Sequence, residues 1–410
     1  MLLLKNNNTN TLKQSLTNIF RIVVKPLHRR QREKLILPIA INLLGLQILT
    51  RKQLLSHVDK YSTLIFGFEE FIGSSQVNSI GKIPEGIKMV SAAFTIGKPF
   101  VSEIENAQLV SSTAVGFQKD GTIIAETTLP PTGDLSPRFD GAISIQSLLL
   151  NKLPGLATNQ LDIACSLVNF RSKSYYHWFL DCLTRLEGLE YYKEHMGCKP
   201  ILIIDSNPTS WQIESLKLLG YNSDDYIQWD QTKITVKKLV VSAFRQPGNW
   251  VSPAALHWLR QRLYSHLSTI ENYQRSFSPR LYISRSQASS RRVTNEDEVM
   301  EVLRPLGFVS YILESMNLID QIRLFSSAEI IIGSHGAGFT NIIFSQKKPT
   351  IIEFVNPWVS PHYYLISSIL GFSYWCFECH QVYNKKFIKP RDNMRVDIAS
   401  LKSLVEQVMK

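Results

Sequence analysis

Cysteine is scarce in this chain: five residues in 410, at positions 165, 182, 198, 376 and 379. The odd number and low density argue against a disulfide framework and fit a reducing compartment. Cys376-Phe377-Glu378-Cys379-His380 has the spacing of half a zinc site. No second Cys-x-x-Cys or His-x-x-x-His pair completes it, so thiols in a partly buried strand are the favoured reading. No Asp-x-Asp occurs. The nearest acidic groupings are Asp224-Asp225 and Glu296-Asp297-Glu298, and the second reads as charge at a helix start. Nothing therefore asks for a divalent metal. No Gly-x-Ser-x-Gly elbow is present, which counts against esterase chemistry. No repeat period is visible. Long apolar runs are also missing. The stretch 35–49 is apolar except for Asn42 and Gln47. As a helix it would span about 22 Å, short of a ~30 Å hydrocarbon core. Pro38 and Gly45 weaken it further, and it lacks the cleavage site of a signal peptide.

Acidic residues are few at one end only. The net charge is +11, and residues 1–60 hold 11 Lys or Arg against Glu33 and Asp59, a net +9 that leaves about +2 for the rest. Basicity concentrated in one segment is not a nucleic-acid groove, and no aromatic-interleaved basic stripe accompanies it. Two readings of residues 1–52 stand. The apolar segment with its flanking cations lies on an anionic membrane surface, or it packs on the protein with the cations solvated. The expected location is cytoplasmic, with the first reading adding peripheral contact on the inner face of the cell membrane.

What the chain has in quantity is apolar residues, 44% against 19% charged, enough for two or three packed domains. Residues 1–53 form a basic, partly apolar extension. Residues 101–128 read as a β-meander, with Lys119-Asp120-Gly121 as a turn. Leu161–Val168 is a strand candidate, followed by a helix over Ser174–Lys193. Strand and helix then alternate: 201–205, 211–219, 226–229, 234–242, 254–267, 281–284, 296–303, 308–313, 318–326, 329–332 and 350–355. This spacing means parallel βαβ units. A break near Arg245–Asn249 divides them into two doubly wound halves, 54–245 and 246–395, with a final helix within 396–410.

One stretch stands out. Ile330-Ile331-Ile332 leads into Gly333-Ser334-His335-Gly336-Ala337-Gly338, and Thr340 to Phe344 reads as the start of a helix. A strand, a glycine turn and a helix N-terminus together can hold an anion, since glycine admits close approach and unpaired N–H groups face the ligand. The same glycines could equally serve a tight connection alone. On the helix after Ser174, His177, Asp181 and Arg185 fall four apart on one ridge. That ridge is either a solvated face or the wall of a cleft.

Gly333-Ser-His-Gly-Ala-Gly-Phe-Thr-Asn341 followed by Thr350-Ile-Ile-Glu-Phe354 resembles the signature of glycosyltransferase family 61. That family includes bacterial capsular polysaccharide proteins and plant and animal xylosyl- and N-acetylglucosaminyl-transferases. Tyr176-His-Trp-Phe-Leu-Asp181, Tyr282-Ile-Ser-Arg285 and Arg291-Arg-Val-Thr-Asn-Glu296 agree and keep the family's order. The resemblance implies a GT-B fold, two Rossmann-like domains facing across a cleft. It also implies an inverting, metal-independent glycosyltransferase of cell-surface polysaccharide synthesis, with no cofactor, a nucleoside-diphosphate sugar (UDP-linked) as donor and a glycan or lipid-linked glycan as acceptor. A catalytically idle sugar-nucleotide-binding protein of the same fold is the alternative.

Such a transfer needs a base for the acceptor hydroxyl, stabilisation of the departing diphosphate, and a hold on the nucleoside. His177 and Asp181 are the candidates for the base and its neighbour, with the proton's destination left open. The diphosphate is expected on Gly336, Ala337 and Gly338 beside His335. Arg285, Arg291 and Arg292 suit phosphate oxygens through bidentate pairing; solvated loop charge is the alternative. Glu353 is placed on the ribose, or alternatively caps structure, and Thr340 and Asn341 are lesser candidates. Replacing His335 or Arg292 is expected to weaken nucleotide-sugar binding, measured by calorimetric titration. Unchanged affinity in both variants would count against this assignment.

Overall fold

The computed structural model describes residues 41–73, 76–130, 143–152, 160–230, 232–267, 276–357, 359–382 and 392–410. The strand candidates of the sequence become strands of two sheets. Four of them are parallel neighbours in the first sheet: β1 (Gln160–Ser166), β2 (Ile201–Asp205), β3 (Tyr226–Trp229) and β4 (Lys233–Ser242). Their order is β4-β1-β2-β3. The long strand Phe100–Val110 pairs antiparallel with β4 and carries Val115–Phe117 and Ile123–Ile124 as an antiparallel ladder. This is the expected meander, fused to the edge of the parallel part. Ile48–Leu49 completes that side by pairing with Ile123–Ile124.

Ile41, Leu46 and Leu49 are buried there, with Val110, Val115 and Phe117 around Ile41 and Leu46. For residues 41–49 the reading that packs the segment on the protein is therefore the one seen. Residues 1–40 lie outside the described residues. Among the described residues no helix is long and apolar enough to cross a membrane.

The second sheet is wholly parallel: β5 (Arg280–Ile283), β6 (Val309–Tyr311), β7 (Ile330–Ser334), β8 (Thr350–Val355) and β9 (Ser373–Glu378), in the order β6-β5-β7-β8-β9. Asn78–Ile80 pairs with β9 and forms its edge. A segment from the first half of the chain thus belongs to the second sheet. The final helix, Ile398–Val408, packs Leu401, Leu404 and Val405 against Val299, Met300 and Leu303 on the same sheet's flank.

One hydrophobic cluster joins the sheets. It runs from Leu202 and Ile204 through Trp178, Phe179 and Phe344 to Ile283 and Ile331. The joint is the segment after β1, and it departs from expectation. Instead of one α-helix, Tyr175–His177 is a single α-turn, Trp178–Cys182 a π-turn and Leu183–Arg185 a 3-10 turn, before the α-helix Leu186–Met196. The wide turn puts all five of its residues out of water. Trp178 donates to Ser215 Oγ at 2.8 Å and Phe179 meets Phe344 edge-on at 5.6 Å. Changes of helical pitch of this kind are frequent at functional sites.

The linker between the halves is also pinned. Arg245, only 4% exposed, pairs with Glu187 and Glu70 and donates to Ser252 Oγ at 3.0 Å. Burial pushes the Glu187 carboxyl up, against the pull of the Arg245 charge. Removing one partner of a buried ion network leaves an uncompensated charge. Arg245→Ala is therefore expected to lower unfolding stability by about 3 kcal/mol, read from urea denaturation. A loss within error of zero would show the linker to be held elsewhere.

Candidate active site

Open parallel sheets bind ligands beyond the strand C-termini, where the order of strands reverses. Each sheet here has one such point. In the first sheet the chain runs outward from β1 to β2 and β3, then returns to the other side of β1 with β4. In the second it runs from β5 to β6, then crosses to the other side of β5 with β7.

The first of these points is filled by the protein itself. Arg185 donates from Nε to Ser242 O at 3.0 Å and from Nη1 to Ser166 O at 2.9 Å, the last residues of β4 and β1. Its guanidinium lies 4.9 Å from the Phe244 ring centre and the residue is 2% exposed. Arg185 therefore does not continue the ridge of His177 and Asp181. The π-turn and the 3-10 turn rotate it off that face into the sheet.

The second point is open. A depression open to solvent lies over the ends of β5 and β7, lined by Ser284, Arg285, Glu314, Ser334, Gly336 and Gly338 among others. The glycines are explained by crowding rather than by left-handed backbone. A Cβ on Gly336 would stand 2.1 Å from Arg285 Nη1, and one on Gly338 would stand 2.8 Å from Leu313 Cδ1. A Cβ on Gly333 would meet the Ile283 carbonyl at 2.8 Å. Ala337–Phe344 is a 3-10 helix where an α-helix was expected. Its leading N–H groups still lack partners within the helix.

Arg285 follows β5 and lies half-buried beside this turn, its Nη2 bonded to Ser290 O at 3.1 Å and its Nε enclosed without a partner. Burial, and then the nearby Arg291 charge, pull the Arg285 guanidinium below its ordinary value. Arg291 has φ +56, left-handed for a non-glycine residue, and its carbonyl accepts from Ser334 Oγ at 2.8 Å. Such backbone costs about 1–3 kcal/mol and persists where the surroundings enforce it. Arg292 is exposed, with its backbone tied to Asn393 Oδ1 at 3.0 Å.

His335 is buried, and its Nδ1 pairs with Glu353. Glu353 is 1% exposed and also accepts from Tyr374 at 2.7 Å. With both oxygens taken, it stands behind His335 rather than facing a ribose. Thr340 and Asn341 are fully buried. Asn341 accepts from Tyr175 at 2.6 Å and donates to Gln321 at 2.8 Å and to the Gly338 carbonyl at 3.0 Å. It locks the glycine turn to the His177 segment.

Across from the turn, His177 Nδ1 pairs with Asp181 Oδ2 at 2.7 Å. The His177 side chain is 20% exposed and Asp181 is 1% exposed. Tyr176 stacks on His362, ring centres 4.3 Å apart, and accepts from Gln246 at 2.6 Å. Tyr363 tilts over His335 at 5.1 Å. The two predicted groups thus meet through Tyr176, His362 and Tyr363. Sequence reasoning missed these, and missed Glu314. Glu314 had a signal, since it follows closely on the strand 309–311 of a parallel series. Among the described residues no group of three or more His, Cys, Asp or Glu is arranged to hold a metal ion.

Burial holds His362 well below the ordinary histidine value, helped by charge at His335, His177 and Arg171. The unfolded chain takes that proton near pH 6.5 and the folded chain does not, so stability is complete above about pH 6.5 and falls below it. The unfolding midpoint is expected to drop as the pH is lowered through that range, and less steeply in His362→Phe. Equal slopes in the two proteins would contradict this.

Residues 175–352 match the sequence model of the family described as Glycosyltransferase 61. The chain is 32% identical over 97 residues to a beta-1,2-xylosyltransferase of Arabidopsis thaliana, covering 20% of this chain and 18% of that protein. It is 34% identical over 84 residues to an alpha-1,3-arabinosyltransferase of Oryza sativa subsp. japonica, covering 20% and 14%. An EGF domain-specific O-linked N-acetylglucosamine transferase of Mus musculus is 25% identical over 101 residues, covering 23% and 19%. The chain thus spans less than a fifth of the length of these curated relatives. The matched span runs from the His177 segment to β8 and holds the glycine turn, the arginine loop and His335. Over residues 175–352 this chain is similar to glycosyltransferase family 61.

Proposed function

We propose that the protein is a glycosyltransferase that moves a sugar from a nucleoside-diphosphate donor to a glycan acceptor. The observation that carries this reading is the open switch point of the second sheet, with Arg285 laid against Gly336 and His177 across from it. The diphosphate sits against Arg285, the first N–H groups of the 3-10 helix and His335 Nε2. Arg291 and Arg292 supply further positive potential from the loop. Cations and backbone dipoles aimed at the leaving group stabilise the charge that develops on it. A metal-independent reaction is supported by this set and by the missing Asp-x-Asp. Glu314, lining the pocket while Glu353 is engaged elsewhere, takes the ribose hydroxyls.

His177 is the base and Asp181 its positioning residue. The bond from Nδ1 to the buried Asp181 fixes the tautomer that leaves Nε2 facing outward, and the carboxylate stabilises the imidazolium that forms. The acceptor oxygen bonds to the anomeric carbon as the bond to the diphosphate oxygen breaks; Nε2 takes the hydroxyl proton, and the product is inverted. A GT-B arrangement and a role in cell-surface polysaccharide synthesis are the finer reading, supported by the resemblance of 333–341 to the signature of a family that includes bacterial capsular polysaccharide proteins. An idle nucleotide-binding protein would keep the arginine site but would not need a buried carboxylate behind His177.

His177→Ala is expected to lower the transfer rate by about 10²–10⁴-fold while leaving nucleotide affinity intact. Arg285→Met is expected to weaken nucleotide binding by about 10–100-fold, the loss of a charge-assisted hydrogen bond or two. Steady-state rates of diphosphate release with and without acceptor, together with titration calorimetry, check both. Transfer by His177→Ala at the parent rate would remove the proposed base.

A further inference from the structure

Three imidazoles meet at the crevice, and two have carboxylates behind them. His177 leans on Asp181 and His335 on Glu353. His362, in the first turn of the helix His362–Leu370, has none. Its ring lies on the face of Tyr176, the residue before His177, at 4.3 Å. The residue after it, Tyr363, lies over His335. It therefore stands between the two ends of the proposed site. Its Nδ1 is enclosed and unpartnered, and among the described residues no hydrogen bond reaches either ring nitrogen.

An enclosed N–H without an acceptor costs more than an enclosed lone pair, so the bare nitrogen belongs at Nδ1 and the proton at Nε2. A ring with no carboxylate partner, packed face-on against a tyrosine, stays neutral. Burial and the neighbouring charge at His335, His177 and Arg171 act in the same direction. A neutral donor suits an uncharged hydroxyl and not a phosphate. In a direct displacement the group in flight lies between the base and the departing diphosphate, which is where His362 stands.

We infer that His362 binds the sugar being transferred, donating from Nε2 to one of its ring hydroxyls, and so helps to decide which sugar is accepted. The inference rests on the proposed glycosyl transfer and on its assignment of the two ends of the site.

The test is by calorimetric titration of the full chain. The probes are a panel of uridine- and guanosine-diphosphate sugars and their free diphosphates, against the parent protein and His362→Phe, His362→Gln and His362→Ala. The Phe variant keeps the ring on Tyr176 and loses the donor; Gln restores an N–H; Ala takes over the comparison if Phe does not fold. The expected result is an unchanged dissociation constant for the free diphosphate. The constant for the preferred sugar nucleotide rises about tenfold in His362→Phe, the size of one lost hydrogen bond, and is partly recovered in His362→Gln. An unchanged ratio of the two constants overturns the inference. A parallel loss of affinity for sugar nucleotide and free diphosphate also overturns it, since His362 would then only support the turn. Failure of the parent protein to bind any member of the panel is a different result, and refutes the proposed function itself.

Discussion

A guanidinium and a missing methyl group decide the shape of this molecule's working face. Arg285 can lie against residue 336 only because residue 336 has no Cβ. Ser334, at the end of β7, holds the Arg291 carbonyl and keeps Arg291 in left-handed backbone beside Arg285. Two like charges are thus brought near one another against burial and mutual repulsion, both of which pull Arg285 down. The cost is met by the fold before any ligand arrives. An arrangement of this kind is suited to an anion, because its donors need not reorganise when charge appears.

The two sheets use their reversal points differently, and the contrast is chemical. Beyond the first sheet, Arg185 spends its donors on the carbonyls that end β1 and β4, closing the crevice. Beyond the second, Arg285 leaves its Nε without a partner, and a pocket remains. Tyr175, Asn341 and Gln321 then run as a chain of hydrogen bonds between the halves. They hold the His177 segment at a fixed reach from the glycine turn. Precision of that order is what a base and a leaving-group site require of their supports.

Much of this was legible in the residues. Glu296–Leu303, Leu318–Ser326 and Thr350–Val355 have the bounds that their apolar periodicity predicts. Parallel βαβ order followed from the alternation, and the glycine turn from the run of isoleucines before it. What escaped depended on distant partners. Four-residue spacing put Arg185 on a ridge with His177, but the buried π-turn between them is set by packing against Ser215 and Phe344. Glu353 read as a ribose ligand because it lies on a parallel strand near its end; Tyr374, on a neighbouring strand, and His335 claim it. Asn78–Ile80 is three residues long, too short to signal that it edges a sheet two hundred residues away. His362 carried no local motif at all.

The central claim is that a nucleoside diphosphate is held beyond β5 and β7, opposite His177. Its most direct measurement is a crystal structure of the protein soaked with uridine diphosphate. The account predicts pyrophosphate density within hydrogen-bonding distance of the Arg285 guanidinium and the backbone N–H groups of Ala337 and Gly338. Nucleotide bound instead beyond β1 and β4, or on a face that His177 does not share, would contradict it.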